Sequence, residues 1–334
     1  MHQGHALRPA ERSIRYGLLF AVVASIIVAA GLVGVAIFAG GFALDFGVFW
    51  RATRAPIDSI YRPDPWLPFV YPPTVIPWLK PLALLPFWDA FAAWSILSLA
   101  AFFAAARSRA WWLMLLSPGL IECLAFGQTS LFVGALLLWA CSRRGWQMGA
   151  LLAVALSLKP QMLVMAPLVL LVRRDWPALT GVAIAGLVLM LLATTLYGPH
   201  IWFDWSSALP GFARVIEARN LYWALITPYG FAAWLHLPPM PFWTAGAVLA
   251  VAAVVRSAKG WDELAMPIAV TSILAVPYAV PHDLVAALPW CASILLRRDR
   301  NWRQAPAALI FSATAVPIGA AMLASSWVRN SHDR

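Results

Sequence analysis

Long apolar runs separated by short arginine clusters leave this chain few folds to adopt. The run from Gly17 to Ala39 carries no charged residue, and crossing a bilayer takes about 20 such residues in a helix. Backbone groups in hydrocarbon must be satisfied within their own segment, so runs of this kind are helices. With 62% of 334 residues hydrophobic and 11% charged, there is too little polar surface to cover a soluble domain of this size. The sequence therefore predicts an all-α fold, a polytopic transmembrane helical bundle forming a single integral membrane domain over residues 1–334. The formal net charge of +10 sits mostly in arginine pairs at the ends of apolar runs. That pattern is a topology signal rather than a nucleic-acid groove, so no nucleic-acid partner is expected. Cys123, Cys141 and Cys291 lie inside apolar stretches without metal-ligand spacing, which predicts small buried side chains and no metal site.

The excess of Lys and Arg on the cytoplasmic side threads the chain. Arg8, Arg12 and Arg15 precede the first run, which is longer than the roughly 7–15 residues of a cleavable signal core. It is read as a retained span with a cytoplasmic N-terminus. Alternation then puts Arg107 and Arg109, Arg143 and Arg144, Arg173 and Arg174, Arg256 and Lys259, and Arg297 to Arg303 inside. The threading uses about 11 spans. They run from Gly17–Ala39 through Thr74–Ala106, Trp111–Phe126, Leu131–Cys141, Trp146–Leu158, Gln161–Val172, Trp176–Tyr197, Phe242–Val255, Leu264–Val280 and Leu284–Leu296 to Ala305–Trp327. Leu221–Leu235 could add a short segment, leaving an even count open. Residues 40–73 form a first extracytoplasmic loop with an interfacial helix, and residues 198–240 a second, Trp-rich extracytoplasmic connection. The runs meeting at Gly127-Gln128 and Lys159-Pro160 are too short for a full crossing. Helices broken near the outer face are tolerated where they line a water-accessible cavity.

Polar residues gather on that outer side. Asp45, flanked by Leu44 and Phe46, is either a solvated loop acid or a general base whose proton affinity is raised by apolar surroundings. Tyr71 precedes two prolines and reads equally as an interfacial aromatic. Gln128 can bridge freed backbone groups or bond a ligand. Lys159, with no acid nearby in sequence, must find an anion such as phosphate, reach back to water or lose its proton. His282 and Asp283 could bind a phosphate, a metal or a substrate hydroxyl. Trp205 is either part of an aromatic belt or a platform for a sugar.

These residues also carry a resemblance. Asp45-Phe46, Tyr71-Pro72-Pro73, Gly127-Gln128, Lys159-Pro160, Arg173-Arg174-Asp175-Trp176 and Tyr278 to His282-Asp283-Leu284 follow the order seen in glycosyltransferase family 87. The chain resembles that family over about residues 40–300, with Ser130 standing where an Asn is expected. The family comprises GT-C type membrane enzymes and includes polyprenyl-phosphate-mannose-dependent α-mannosyltransferases of envelope synthesis. The resemblance implies hexose transfer, on the extracytoplasmic face of the cell membrane, from a lipid-linked sugar donor to a lipid or glycan acceptor. Asp45 and His282 would be catalytic, with Asp45 as the acceptor's base in a single inverting displacement. Lys159, Gln128 and Tyr71 would bind the donor phosphate, and Asp283 and Trp205 would contact substrate. The donor is a substrate, so no cofactor is expected. A secondary transporter, a lipid-carrier flippase and a non-catalytic envelope-assembly subunit remain the alternatives; the first would want charges at the bilayer midplane and repeated halves.

Overall fold

The computed structural model describes residues 41–62 and 67–296, with Val23 and Ile27. Apart from Val23 and Ile27, the expected first span Gly17–Ala39 lies outside the described residues, as do Arg8, Arg12 and Arg15, the last span Ala305–Trp327 and the basic residues from Arg297 onward. Among the described residues all regular structure is helical. Among the same residues three helices are long and apolar enough to cross a membrane: α2 (Phe87–Ala106), α7 (Trp176–Tyr197) and α10 (Pro239–Ser257) with the 3-10 turn that extends it. Three apolar helices are shorter, α4 (Ser130–Cys141), α5 (Gly145–Leu158) and α11 (Ala265–Ala275).

Proline explains most departures from the expected spans, because it lacks a donor and collides with the preceding turn. Thr74–Ala106 is not one helix. Prolines at 77, 81 and 86 divide it into 3-10 turns at Pro73–Val75 and Lys80–Leu84, a single α-turn at Ile76–Leu79, and α2 after Pro86. Pro118 likewise cuts Trp111–Phe126 into the turn Trp111–Met114 and α3 (Pro118–Phe126). Gln161–Val172 keeps only α6 (Ala166–Arg173) as α-helix, and Leu264–Val280 keeps α11. The Leu284–Leu296 segment enters through a 3-10 helix, Pro281–Ala287, before α12 (Leu288–Leu295). The second connection holds α8 (His200–Ala218) and α9 (Pro228–Trp234).

The first loop is more ordered than a polar connection. It opens directly into α1 (Leu44–Arg54), which buries Phe46, Val48, Phe49 and Ala52 on one face. These residues join Ile76, Leu79, Phe91 and Ile201 in a core of their own. A larger core fills the bundle among α3, α4, α5, α6, α11 and α12. Small residues let α5 and α7 approach closely: a side chain at Gly149 would strike the Ala178 carbonyl, and one at Gly181 would lie 2.5 Å from the Trp146 carbonyl oxygen. Lipid offers no hydrophobic drive for helix pairing, so backbone approach of this kind supplies the contact.

Candidate active site

Two helix breaks and one 3-10 segment bring the site together. The first break follows α3, where Gly127 adopts φ 71° as the helix cap. That left-handed conformation suits glycine, and a side chain there would lie 2.5 Å from Phe46 Cβ and 3.0 Å from the Phe91 ring. The turn therefore lets α1 lie directly against Gln128. The Ala43 amide, just before α1, donates to the Ala125 carbonyl of α3 at 2.8 Å. This pins Asp45, in the first turn of α1, at the end of α3. The second break follows α5 and places Lys159, itself buried, between that helix and the turn Pro160–Met162. The third contributor is Pro281–Ala287, every residue of which is buried. It lies against α3, α4 and α11.

Lys159 does have an acid partner, which its neighbours in sequence do not reveal. Its ammonium lies 2.6 Å from Asp283 Oδ1, with side-chain exposures of 5% and 1%. It also donates to Ser130 Oγ at 2.9 Å and approaches Gln128 Oε1 at 3.4 Å. Ser130 in turn donates to Asp283 Oδ1 at 3.0 Å, and the Val280 amide donates to Asp283 Oδ2 at 3.1 Å. A buried ion pair needs its remaining lone pairs and protons satisfied in this way, because desolvation costs several kcal/mol per ion. Tyr71 closes the network from the other side, its hydroxyl 3.4 Å from Gln128 Oε1 and 3.5 Å from Thr129 Oγ1.

Asp45 faces this cluster and is half-buried. Burial pushes its carboxyl above the ordinary carboxylate value; the charges of His282 and Lys159 and a hydrogen bond from Gln128 pull it partly back. His282 is 4% exposed. Its Nδ1 lies 3.2 Å from Glu122 Oε1 and its Nε2 3.8 Å from Asp283 Oδ1, yet among the described residues neither ring nitrogen finds a hydrogen-bond partner.

Asp45, Tyr71, Gln128, Lys159, His282 and Asp283 thus meet in one place. Trp205 stands apart from their hydrogen-bond network and braces the chain before Tyr71, its indole donating to the Val70 carbonyl at 2.9 Å. Two members were missed in the sequence. Ser130 was noted only as a departure from the family pattern. Glu122 was absorbed into the apolar run from Trp111 to Phe126, where a lone carboxylate is itself a signal of function.

Among the described residues, helices long and apolar enough to span a bilayer stand beside shorter helices broken around a buried cluster of acids, a lysine and a histidine, the architecture of a polytopic helical membrane protein. The profile of glycosyltransferase family 87 matches residues 69–281, more than half of the chain. The chain belongs to glycosyltransferase family 87 and is a membrane glycosyltransferase. Family membership sets aside the transporter, flippase and assembly-subunit readings. The matched stretch takes in Tyr71, Gln128, Lys159 and Trp205, begins after Asp45 and stops one residue short of His282. Neither the curated proteins nor the solved structures contain a match.

Proposed function

We propose that the enzyme moves a hexose, in first choice mannose, from a polyprenyl-phosphate donor to a lipid or glycan acceptor on the extracytoplasmic face. The accompanying topology is about 11 spans with a cytoplasmic N-terminus. The observation that carries this reading is the meeting of Asp45, from the first outer loop, with Gln128, Lys159 and His282 from distant parts of a family 87 chain. Asp45 takes the proton of the acceptor hydroxyl as its oxygen attacks the anomeric carbon. The bond from that carbon to the phosphate oxygen breaks on the opposite side, its electron pair leaving on the lipid phosphate with inversion at the sugar. A base whose proton affinity is raised toward the working pH suits this task. His282, Gln128 and Tyr71 supply donors to the departing phosphate, in a site where preorganised donors act more strongly than in water. Lys159 shares its charge with Asp283 and directs its three N–H groups to Asp283, Ser130 and Gln128, so its contribution is that of a neutralised pair within reach of the phosphate rather than a free cation. The reading assigns no resident cofactor or metal.

Asp45→Asn tests it, because the change preserves shape and removes basicity. Transfer of labelled mannose from a synthetic polyprenyl phosphate should fall by about 100- to 10,000-fold, the span usual for a general base. Binding of the donor, measured separately, should persist. Asp58→Asn is the control, since Asp58 is an exposed acid on the same loop. Wild-type transfer by Asp45→Asn would remove Asp45 from the mechanism.

A further inference from the structure

One face of α3 is turned wholly to His282. Residues 119, 122 and 123 share that face at the i, i+3, i+4 spacing of a helix. Gly119 allows the approach: a side chain there would lie 3.1 Å from the Pro281 carbonyl oxygen and 3.5 Å from His282 Cα. The Cys123 thiol donates weakly to the His282 carbonyl at 3.9 Å. Between them Glu122, with its side chain 13% exposed, sets a carboxylate oxygen 3.2 Å from Nδ1. The backbone of His282 is thereby held from behind, and its ring is bordered on one side by an acid.

Among the described residues the ring itself has no hydrogen-bond partner, although buried polar atoms are paired in the large majority of cases. A hydrogen bond from Nδ1–H to Glu122 Oε1 needs no change of distance, the two atoms lying 3.2 Å apart. It leaves Nε2 on the side of the Lys159 cluster, where Asp283 Oδ1 is already engaged by Lys159 and Ser130. An imidazole fixed at one nitrogen by a carboxylate presents the other in a defined direction.

We propose that Glu122 is a positioning residue of the transfer reaction, holding the His282 imidazole on its Nδ1 side so that Nε2 bonds the substrate. The proposal rests on the reading of His282 as a group that contacts the donor phosphate. It differs from a purely structural role for Glu122 in one respect: the acid acts only through His282.

The test uses the full-length enzyme, polyprenyl-phosphate mannose as the probe, and four variants: Glu122→Gln, Glu122→Asp, His282→Ala, and Glu122→Gln with His282→Ala. Partners of this kind cost about 10- to 100-fold in activity when removed from the analogous shell of metal-bound histidines, and Glu122→Gln should lower kcat by a similar factor with donor KM little changed. Glu122→Asp, which keeps the charge, should restore part of the loss. In the His282→Ala background Glu122→Gln should cost nothing further, the signature of two groups acting as one unit. Wild-type kcat in Glu122→Gln, or losses that multiply in the double variant, would overturn the proposal. Where Glu122→Gln proves unstable, the same cycle run with Glu122→Asp decides by the same criterion. Full activity in His282→Ala would instead refute the assignment of His282, whereas a defective His282→Ala with multiplying losses refutes the positioning role alone.

Discussion

An ammonium 2.6 Å from a carboxylate, with 5% and 1% of the two side chains exposed, ties stability to chemistry at Lys159. Removing one member of such a pair leaves the other charged and unpartnered, at a cost of about 3–5 kcal/mol. Lys159→Met should therefore lower the unfolding temperature of the detergent-solubilised enzyme markedly. Adding Asp283→Asn should restore most of that stability, because it removes the stranded charge, while transfer stays low. A double variant as unstable as the single one would show that the pair does not hold the site together. At Asp45 the consequence concerns pH. Its carboxyl is raised by burial, and a base works only when deprotonated, so kcat/KM should fall as the pH drops through that raised value. The acid limb should lie above the range of an ordinary aspartate, near pH 4, and should vanish from the residual activity of Asp45→Asn. Asp45, Lys159 and His282 were legible in the sequence because a charge in an apolar setting stands out. The partnership of Lys159 with Asp283 was not, since nothing local records which distant segment folds back on a lysine. Glu122 was hidden for a different reason, one acid being too little to interrupt a hydropathy run.

At the scale of elements, the turn after α3 decides where Asp45 lies. Gly127 combines φ 71° with close contact to Phe46, one residue beyond Asp45. Gly127→Ala adds a left-handed penalty of about 1–2 kcal/mol and pushes α1 away from Gln128. Both stability and transfer should drop, and a second change, Phe46→Gly, which removes the Cβ that the new side chain meets, should recover transfer more than stability by reopening the space. Equal recovery of both, or of neither, would count against steric displacement of α1. The breaks at Gly127-Gln128 and Lys159-Pro160 were visible in the sequence as short apolar runs meeting at polar junctions. The internal division of Thr74–Ala106 was not read correctly, although its prolines were in view, because hydropathy alone scores an apolar proline-rich stretch as continuous.

For the whole molecule, the arginine distribution makes a claim about sidedness. Asp204 on α8 and Arg144 before α5 are both exposed, and the threading sends them to opposite faces. In a cysteine-free background, Asp204→Cys should react with an impermeant thiol reagent added outside intact cells, and Arg144→Cys only after permeabilisation. Labelling of both from one side would invalidate the one-faced active site. The Lys159–Asp283 pair also imposes an order on biosynthesis. The lysine leaves the ribosome well before its carboxylate exists, so the nascent protein holds an orphan ammonium until the segment Pro281–Ala287 arrives. A polypeptide terminated after α11 never acquires that counterion. Pulse–chase labelling should find such a fragment cleared rapidly by membrane proteases, and the Lys159→Met version of the same fragment should persist longer, making the ion pair a checkpoint for completed synthesis.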